Sequence, residues 1–507
     1  MQLSRTALPV LRAEGRSGVP SDEVLALPER VLQFGTGVLL RGLVDDFVDK
    51  ANKAGVFNGR IVVVKSTAHG DVDAFARQDN LYTLCVRGLD GGATVDETAI
   101  NGAVSRVVSA AKDWKAVLRC AADPALELVV SNTTEVGISL VPDDVDRAPP
   151  ASFPGKLLSC LWERFRRLGG GTESGLVVVP TELIPKNGTT LKAIVLELAR
   201  QNHLSEPFLR WVDTENDFCN SLVDRIVPGR LSPPDAAALK ARLGYEDELL
   251  IMAEVYRLWA IETSRARSRA VLSFSRTDRG VVLAPDIEKF KELKLRLLNG
   301  SHTFTCGLAV LAGFTTVKEA MQDPALGAFI GRLMLDEIVP AISGDAVTAE
   351  EARGFAADVL NRYRNPFLAH QWLSITLQYT NKMRVRNVPV IERYYQRLGT
   401  VPTRMALGLA AWLLFMRSVE AAPGAQVGRS AGREYPINDD RAALLREIWA
   451  AGGSPVGRAL GNLELWGTDL AALPGLVEAV ERNLRLLEEQ GARAVLAMLE
   501  GQKRGDG

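Results

Sequence analysis

Two textures of apolar patterning follow one another along the chain. In the first half, short apolar runs recur: Arg30-Val-Leu-Gln-Phe34, Arg60-Ile-Val-Val-Val64, Leu126-Glu-Leu-Val-Val130 and Gly175-Leu-Val-Val-Val-Pro180. After the first of them, Val38 to Ala54 carries Leu39, Leu40, Leu43, Phe47 and Val48 at helical spacing, which predicts one helix. Near-continuous β-branched runs separated by helical stretches are the signature of parallel strands covered on both faces. The expected fold class is α/β, with a Rossmann-like doubly wound parallel sheet.

From Asp286 onward these runs vanish. Long amphipathic patterns take over at Lys289 to Ala312, Pro324 to Ser343, Ala349 to Tyr363, His370 to Tyr379, Thr403 to Ala421 and Leu476 to Glu500. The Gly/Ala/Ser/Arg stretch from Ala422 to Glu434 reads as a mobile loop. Two domains are expected: residues 1–285, of Rossmann type and dinucleotide-binding, and residues 286–507, mostly helical and carrying the substrate chemistry.

Composition narrows the function. With 60 Lys+Arg against 61 Asp+Glu the net charge is −1, which argues against nucleic acid as the main partner. The longest apolar run, Met405 to Met416, falls short of the roughly 20 residues of a membrane span. The amino terminus lacks the basic-then-apolar layout of a secretory signal, so a soluble, cytoplasmic protein is expected. Cys85, Cys120, Cys160, Cys219 and Cys306 are far apart and never in a Cys-x-x-Cys pair. His69, His203, His302 and His370 show no metal-ligand spacing, so no metal site is expected.

The strand ending at Phe34 runs into Gly35-Thr36-Gly37 and a helical pattern, which is how a dinucleotide-binding unit begins. Such glycines let the backbone approach a pyrophosphate whose charge is met by the following helix terminus. The third glycine of the usual pattern would fall at Leu40; the next one here is Gly42, two positions late. The second strand ends Lys65-Ser66-Thr67, without the acidic residue that holds an NAD ribose. Lys65 leans toward a 2′-phosphate and NADP, yet it also reads as a solvated strand end, and the residues alone leave both cofactors open.

Reduction of a ketone needs a group that holds the carbonyl oxygen and delivers a proton. No Tyr is followed by Lys four residues later, which removes the Tyr-Lys solution. Lys294-Leu-Arg-Leu-Leu-Asn299-Gly-Ser-His302 remains. On an α-helix at about 100° per residue, Asn299 lies about 140° and His302 about 80° from Lys294, so all three share one side. Taken singly, such a Lys is usually a surface residue and such a His a satisfied, partly buried one.

With this residue set the chain resembles the polyol-specific long-chain dehydrogenase/reductase family, which includes mannitol dehydrogenases and hexuronate reductases. The family's Lys-x4-Asn-x2-His is matched by Lys294, Asn299 and His302. Further likeness runs through Gln33 to Arg41, Gln78-Asp-Asn-Leu-Tyr82, Ser131-Asn-Thr-Thr-Glu135, Leu222-Val-Asp-Arg-Ile226 and Arg362-Tyr-Arg-Asn-Pro366. The resemblance implies that Lys294 is the general acid/base, Asn299 polarises the carbonyl oxygen and His302 positions substrate hydroxyls. As a base in the oxidation direction, Lys294 would need its pKa lowered by burial or neighbouring cations. The resemblance also implies NAD(H) as cofactor, held by Phe34, Gly35, Thr36, Gly37, Val38, Ser131, Asn132 and Thr133, and a substrate hydroxyl near Asp224. Asp224 also reads as a structural ion pair with Arg225 or another cation.

Within the family, Ser131 to Glu135, Pro180-Thr-Glu-Leu-Ile184 with Asn187-Gly188, and Asn381-Lys-Met-Arg-Val-Arg386 resemble the hexuronate reductases. Mannitol-type members carry a second oxyanion-holding Asn where this chain has Leu183; Asn187 or a backbone group is left to replace it. A hexuronate carboxylate needs a cation, and Lys382, Arg384 and Arg386 form a local basic cluster. The same cluster also reads as a solvated basic face. The expected substrate is a small-molecule keto-hexuronate, tagaturonate, with fructuronate or a neutral mannitol-type ketose as alternatives. A non-catalytic dinucleotide-binding sensor is the alternative of another class, and the joint presence of Lys294, Asn299 and His302 argues against it.

Overall fold

The computed structural model describes residues 1–66, 72–229, 231–422, 424–430 and 432–501. Thr67 and His69 lie outside them, as do Pro423 and Ala431. The chain forms two compact units, residues 1–87 with 94–287, and residues 88–93 with 288–507.

In the first unit six strands form one parallel sheet, in the spatial order Val104–Ser109, Arg60–Lys65, Glu29–Phe34, Leu128–Ser131, Val177–Pro180 and Asp217–Phe218. Numbered along the chain, that order is 3-2-1-4-5-6, the Rossmann arrangement. Successive side chains feed opposite faces, and both faces are buried. Leu32, Phe34, Val62, Val64, Val129 and Val178 enter one core with Trp114, Leu157, Leu191 and Phe208. Val31, Ile61, Val63, Val130 and Val179 enter the other with Phe47, Trp259 and Phe274. The chain reverses direction across the sheet between Glu29–Phe34 and Leu128–Ser131, where Phe34 stands in register with Ser131. Ligands bind outside the carboxyl ends of strands at such a switch point.

The helix expected from Val38 to Ala54 is two helices, Val38–Arg41 and Val44–Lys53, separated at Gly42-Leu43. A Cβ at Gly42 would lie 2.8 Å from a Val227 methyl, and the Gly42 carbonyl accepts a hydrogen bond from Arg225 Nη1. The third glycine, two residues late, thus serves close packing at the break. Two further three-stranded sheets are Ile251–Glu254, Tyr82–Asp90 and Ala93–Asn101, and Val281–Ala284, Leu258–Glu262 and Ser221–Asp224.

The second unit is mostly helical. Thr403–Phe415 is apolar on all sides and buried through nearly its whole length, which accounts for the long apolar run. Among the described residues no helix is long and apolar enough to cross a membrane. Several expected helices are interrupted. Lys289 to Ala312 resolves into Glu288–Leu293, a π-helical turn Lys294–Gly300 and Ser301–Leu311. Pro324 to Ser343 contains a second π turn, Leu333–Ile338, and Met383–Asn387 is a third. His370 to Tyr379 is reduced to the short helix Trp372–Ile375 and the first residue of Tyr379–Lys382, and Leu476 to Glu500 breaks at Gly491. The helix from Thr403 stops at Phe415, six residues early. The expected loop is ordered instead: Ser418–Ala422, Ala425–Ser430 and Arg433–Ile437 pair as an antiparallel sheet.

Candidate active site

In the Rossmann unit the glycine turn and the Ser131-Asn132-Thr133 turn meet at the switch point. Asn132 N–H donates to the Phe34 carbonyl at 3.0 Å. Gly35 has φ +131°, and a Cβ there would lie 2.9 Å from the Asn132 carbonyl oxygen, so only glycine lets the two turns approach. Among the described residues outside its own chain neighbours, nothing lies within 4 Å of the place a Gly37 Cβ would occupy. Only four helical residues follow Gly37, which reduces the expected helix-terminus attraction to the amides of one turn.

Ser131 and Thr133 are held from below by buried Glu182. Its carboxylate accepts Ser131 Oγ at 3.0 Å, Thr133 N at 2.9 Å and Thr133 Oγ1 at 3.0 Å. Asn132 Nδ2 donates to Thr181 Oγ1 at 2.9 Å. Thr181-Glu182 therefore shapes the turn, a role the sequence reading had not assigned. The open space at Gly37, the close approach at Gly35 and the sheet order together fit a dinucleotide. Lys65 is buried at its strand end, not solvated. Leu183 is exposed. Asn187, expected as a substitute for the missing oxyanion Asn, is fully engaged with backbone. Its Nδ2 meets the carbonyls of Pro180, Glu182 and Ser221, and its Oδ1 accepts from Gly188 and Ser221. Asp224 is buried at the end of Ser221–Asp224, in register with Leu258. Neighbouring Arg225 pairs with Asp46 at 2.7 Å.

In the helical unit Lys294 and Asn299 are not on an α-helix. A π turn closes hydrogen bonds between residues five apart, so the two lie nearly above one another instead of about 140° apart. Both are half-buried. Four successive carbonyls of this turn each accept a side-chain donor. Leu297 O takes Ser301 Oγ (2.5 Å), Leu298 O takes Tyr363 OH (2.8 Å), Asn299 O takes Thr303 Oγ1 (2.7 Å) and Gly300 O takes Asn387 Nδ2 (3.1 Å). These bonds satisfy carbonyls at an irregular turn that would otherwise be costly to bury.

His302 follows on the regular helix, stacked on Tyr363 with ring centroids 4.1 Å apart and edge-on to His370 at 5.3 Å and Trp372 at 5.8 Å. Its Nε2 is buried without a hydrogen-bond partner among the described residues, as a group awaiting a ligand would be. Burial first, then the charges of His370, Arg362, Arg386 and Lys382, hold its pKa well below the usual imidazole range, so His302 is neutral. Arg386 Nη1 donates to Thr303 Oγ1 at 3.1 Å, and Lys382 Nζ to the Ile375 carbonyl at 2.9 Å. Lys382 and Arg386 thus belong to the surroundings of His302. Arg384 is not brought there: it is exposed, and a Cβ at Gly467 would lie 3.1 Å from its Nη2. The sequence reading missed Arg362 and His370 as neighbours of His302; burial and then the Lys382 charge lower the pKa of His370 as well, and the motif Arg362 to Pro366 carried the signal for Arg362.

Residues 29–272 match the mannitol dehydrogenase Rossmann domain and residues 286–488 the mannitol dehydrogenase C-terminal domain; the chain belongs to the mannitol dehydrogenase family. Among its relatives, altronate oxidoreductase of Halalkalibacterium halodurans is 39% identical over 497 residues, 95% of each chain. Altronate oxidoreductase of Klebsiella pneumoniae is 38% identical, covering 92% of this chain and 96% of its own. Among solved structures, Pseudomonas fluorescens mannitol 2-dehydrogenase, a ternary complex with NAD and D-mannitol, superimposes with a TM-score of 0.68 at 23% identity, over 99% of this chain and 100% of that one. A substrate-free D-sorbitol dehydrogenase gives 0.76 at 21% identity, over 98% and 100%. These two share the fold.

Proposed function

We propose that the protein reduces a keto-hexuronate with NADH, converting D-tagaturonate to D-altronate, the tagaturonate reductase (altronate oxidoreductase) reaction. The observation that carries this reading is the cationic surround of a neutral His302: Arg362, Lys382 and Arg386 suit a substrate with a carboxylate, and a neutral polyol gives no use for them. The names of the full-length relatives support the same substrate. The fit of the glycine turn to a dinucleotide, together with the NAD in the mannitol 2-dehydrogenase complex, supports NAD(H).

In this reading residues 1–285 hold the cofactor and residues 286–507 the substrate. Phe34 to Val38 and the Ser131-Asn132-Thr133 turn line the cofactor site; when bound, NADH supplies the hydride. Lys294 donates a proton to the keto oxygen as that carbon accepts the hydride, and recovers it in the oxidation direction. Asn299, stacked above Lys294 by the π turn, presents its amide to the same oxygen. His302 Nε2 bonds a substrate hydroxyl, and Arg386 with Lys382 holds the carboxylate. NADH consumption with D-tagaturonate, D-fructuronate and D-fructose tests the assignment: a preference for D-tagaturonate is expected. A preference for fructose overturns the hexuronate reading, and NADH binding without turnover of any of them revives the sensor.

A further inference from the structure

Arg296 lies on the same π turn as Lys294 and Asn299, inside the apolar run Leu295, Leu297, Leu298, and only 6% of it is exposed. A guanidinium in that setting needs its donors matched, because an unmatched buried charge is costly. Here its Nη1 donates to two successive backbone carbonyls, Val385 at 2.7 Å and Arg386 at 2.8 Å. Its Nε and Nη2 meet the two carboxylate oxygens of Glu292, each at 3.2 Å. Glu292 is held in turn by Arg393 at 2.8 Å.

The two carbonyls belong to the π turn Met383–Asn387, which also carries Arg386. From that turn Asn387 Nδ2 donates back to the Gly300 carbonyl at 3.1 Å. The two irregular turns therefore hold each other by backbone in both directions. One bears the proton-transfer pair, the other the cation for the substrate carboxylate. A planar guanidinium whose Nη1 reaches the two adjacent carbonyls while its Nε and Nη2 face the Glu292 carboxylate fixes position and orientation together, which a single ammonium cannot do.

We propose that Arg296 is a positioning residue: by clamping the two π turns it sets the separation between Lys294 and Arg386, and so the preference for a ketose bearing a carboxylate over a neutral one. This rests on the roles given above to Lys294 and Arg386. Steady-state kcat/KM with NADH is to be measured for D-tagaturonate and D-fructose in the wild type, Arg296→Lys, Asn387→Ala and Arg386→Gln, together with thermal unfolding. Arg296→Lys is expected to lower kcat/KM for D-tagaturonate at least about tenfold, chiefly through KM, and to leave that for D-fructose within about threefold. Asn387→Ala, which removes only the reciprocal bond, is expected to shift the ratio the same way to a smaller extent; it carries the test if Arg296→Lys does not fold. Arg296→Lys added to Arg386→Gln should change the substrate ratio no further.

Equal losses on both substrates, or a lowered unfolding temperature with an unchanged ratio, would make Arg296 a structural residue only. If Arg386→Gln collapses the ratio and neither Arg296→Lys nor Asn387→Ala moves it, this inference alone fails. If Arg386→Gln itself leaves the ratio unchanged, the carboxylate reading fails first.

Discussion

Arg386 Nη1 donates to Thr303 Oγ1 at 3.1 Å, and the same hydroxyl donates to the Asn299 carbonyl at 2.7 Å. One hydroxyl thereby ties the cation proposed for the substrate carboxylate to the backbone of the residue proposed for the keto oxygen. The site in the helical unit is built as a chain of such bonds, not as a set of independent side chains.

That chain separates two arginines that lie two residues apart in sequence. Arg386→Gln is expected to raise the KM for D-tagaturonate by about ten- to a hundredfold, the loss of one charge-assisted hydrogen bond worth about 1.5–3 kcal/mol. Arg384→Gln, a change on an exposed side chain beside Gly467, is expected to leave it within about twofold. Steady-state kinetics on both variants checks the contrast, and equal effects would return Arg384 to the site.

His302 is neutral because burial and four surrounding basic groups disfavour its protonated form. An imidazole with an ordinary pKa would impose a limb near 6.5 on the pH profile. The profile of kcat/KM for D-tagaturonate is expected to be the same around pH 6.5 in the wild type and His302→Asn, with the variant lower throughout. A limb near 6.5 that disappears in the variant would show that His302 titrates there.

Gly35→Ala places a Cβ 2.9 Å from the Asn132 carbonyl and forces an L-residue to φ +131°. Fluorescence titration is expected to give at least about tenfold weaker NADH binding, at most of the wild type's helical signal. Unchanged NADH affinity would remove this turn from the cofactor site.

Burial pushes the Asp45 carboxyl up to about 7. An unfolded Asp titrates near 3.9, so between about pH 4 and 7 the folded chain keeps a proton that the unfolded chain has lost. Its contribution is fully present below about pH 4 and is lost as pH rises through about 7. Asp45→Asn should therefore gain unfolding temperature on the wild type as pH is raised from about 5 to 8. A difference between the two proteins that does not vary with pH would contradict the assignment.

The parallel sheet was legible because its strands are buried on both faces, which leaves runs such as Ile61 to Val64 with no polar alternation. The π turns were not. One extra residue per turn at Lys294–Gly300 or Leu333–Ile338 barely disturbs an apolar stripe, so a uniform 3.6-residue period was read through both. The same period hid why Lys294 and Asn299 are five residues apart. Arg384 was grouped with its neighbours by proximity in sequence, whereas Lys382 and Arg386, four apart, are the pair brought to His302. The sheet from Ser418 to Ile437 escaped notice because its Gly, Ala, Ser and Arg residues have low strand propensity and hold their pairing through backbone bonds. Asn187 showed its polar nature in the sequence but not its five backbone partners.

In the proposed reaction Lys294 delivers the proton to the keto oxygen of a carboxylate-bearing sugar. Single-turnover reduction of D-tagaturonate by Lys294→Ala, with NADH affinity measured on the same sample, tests it most directly. Unchanged NADH binding and a hydride-transfer rate lower by about 10²–10⁴-fold are expected; a rate near that of the wild type would take the proton transfer away from Lys294.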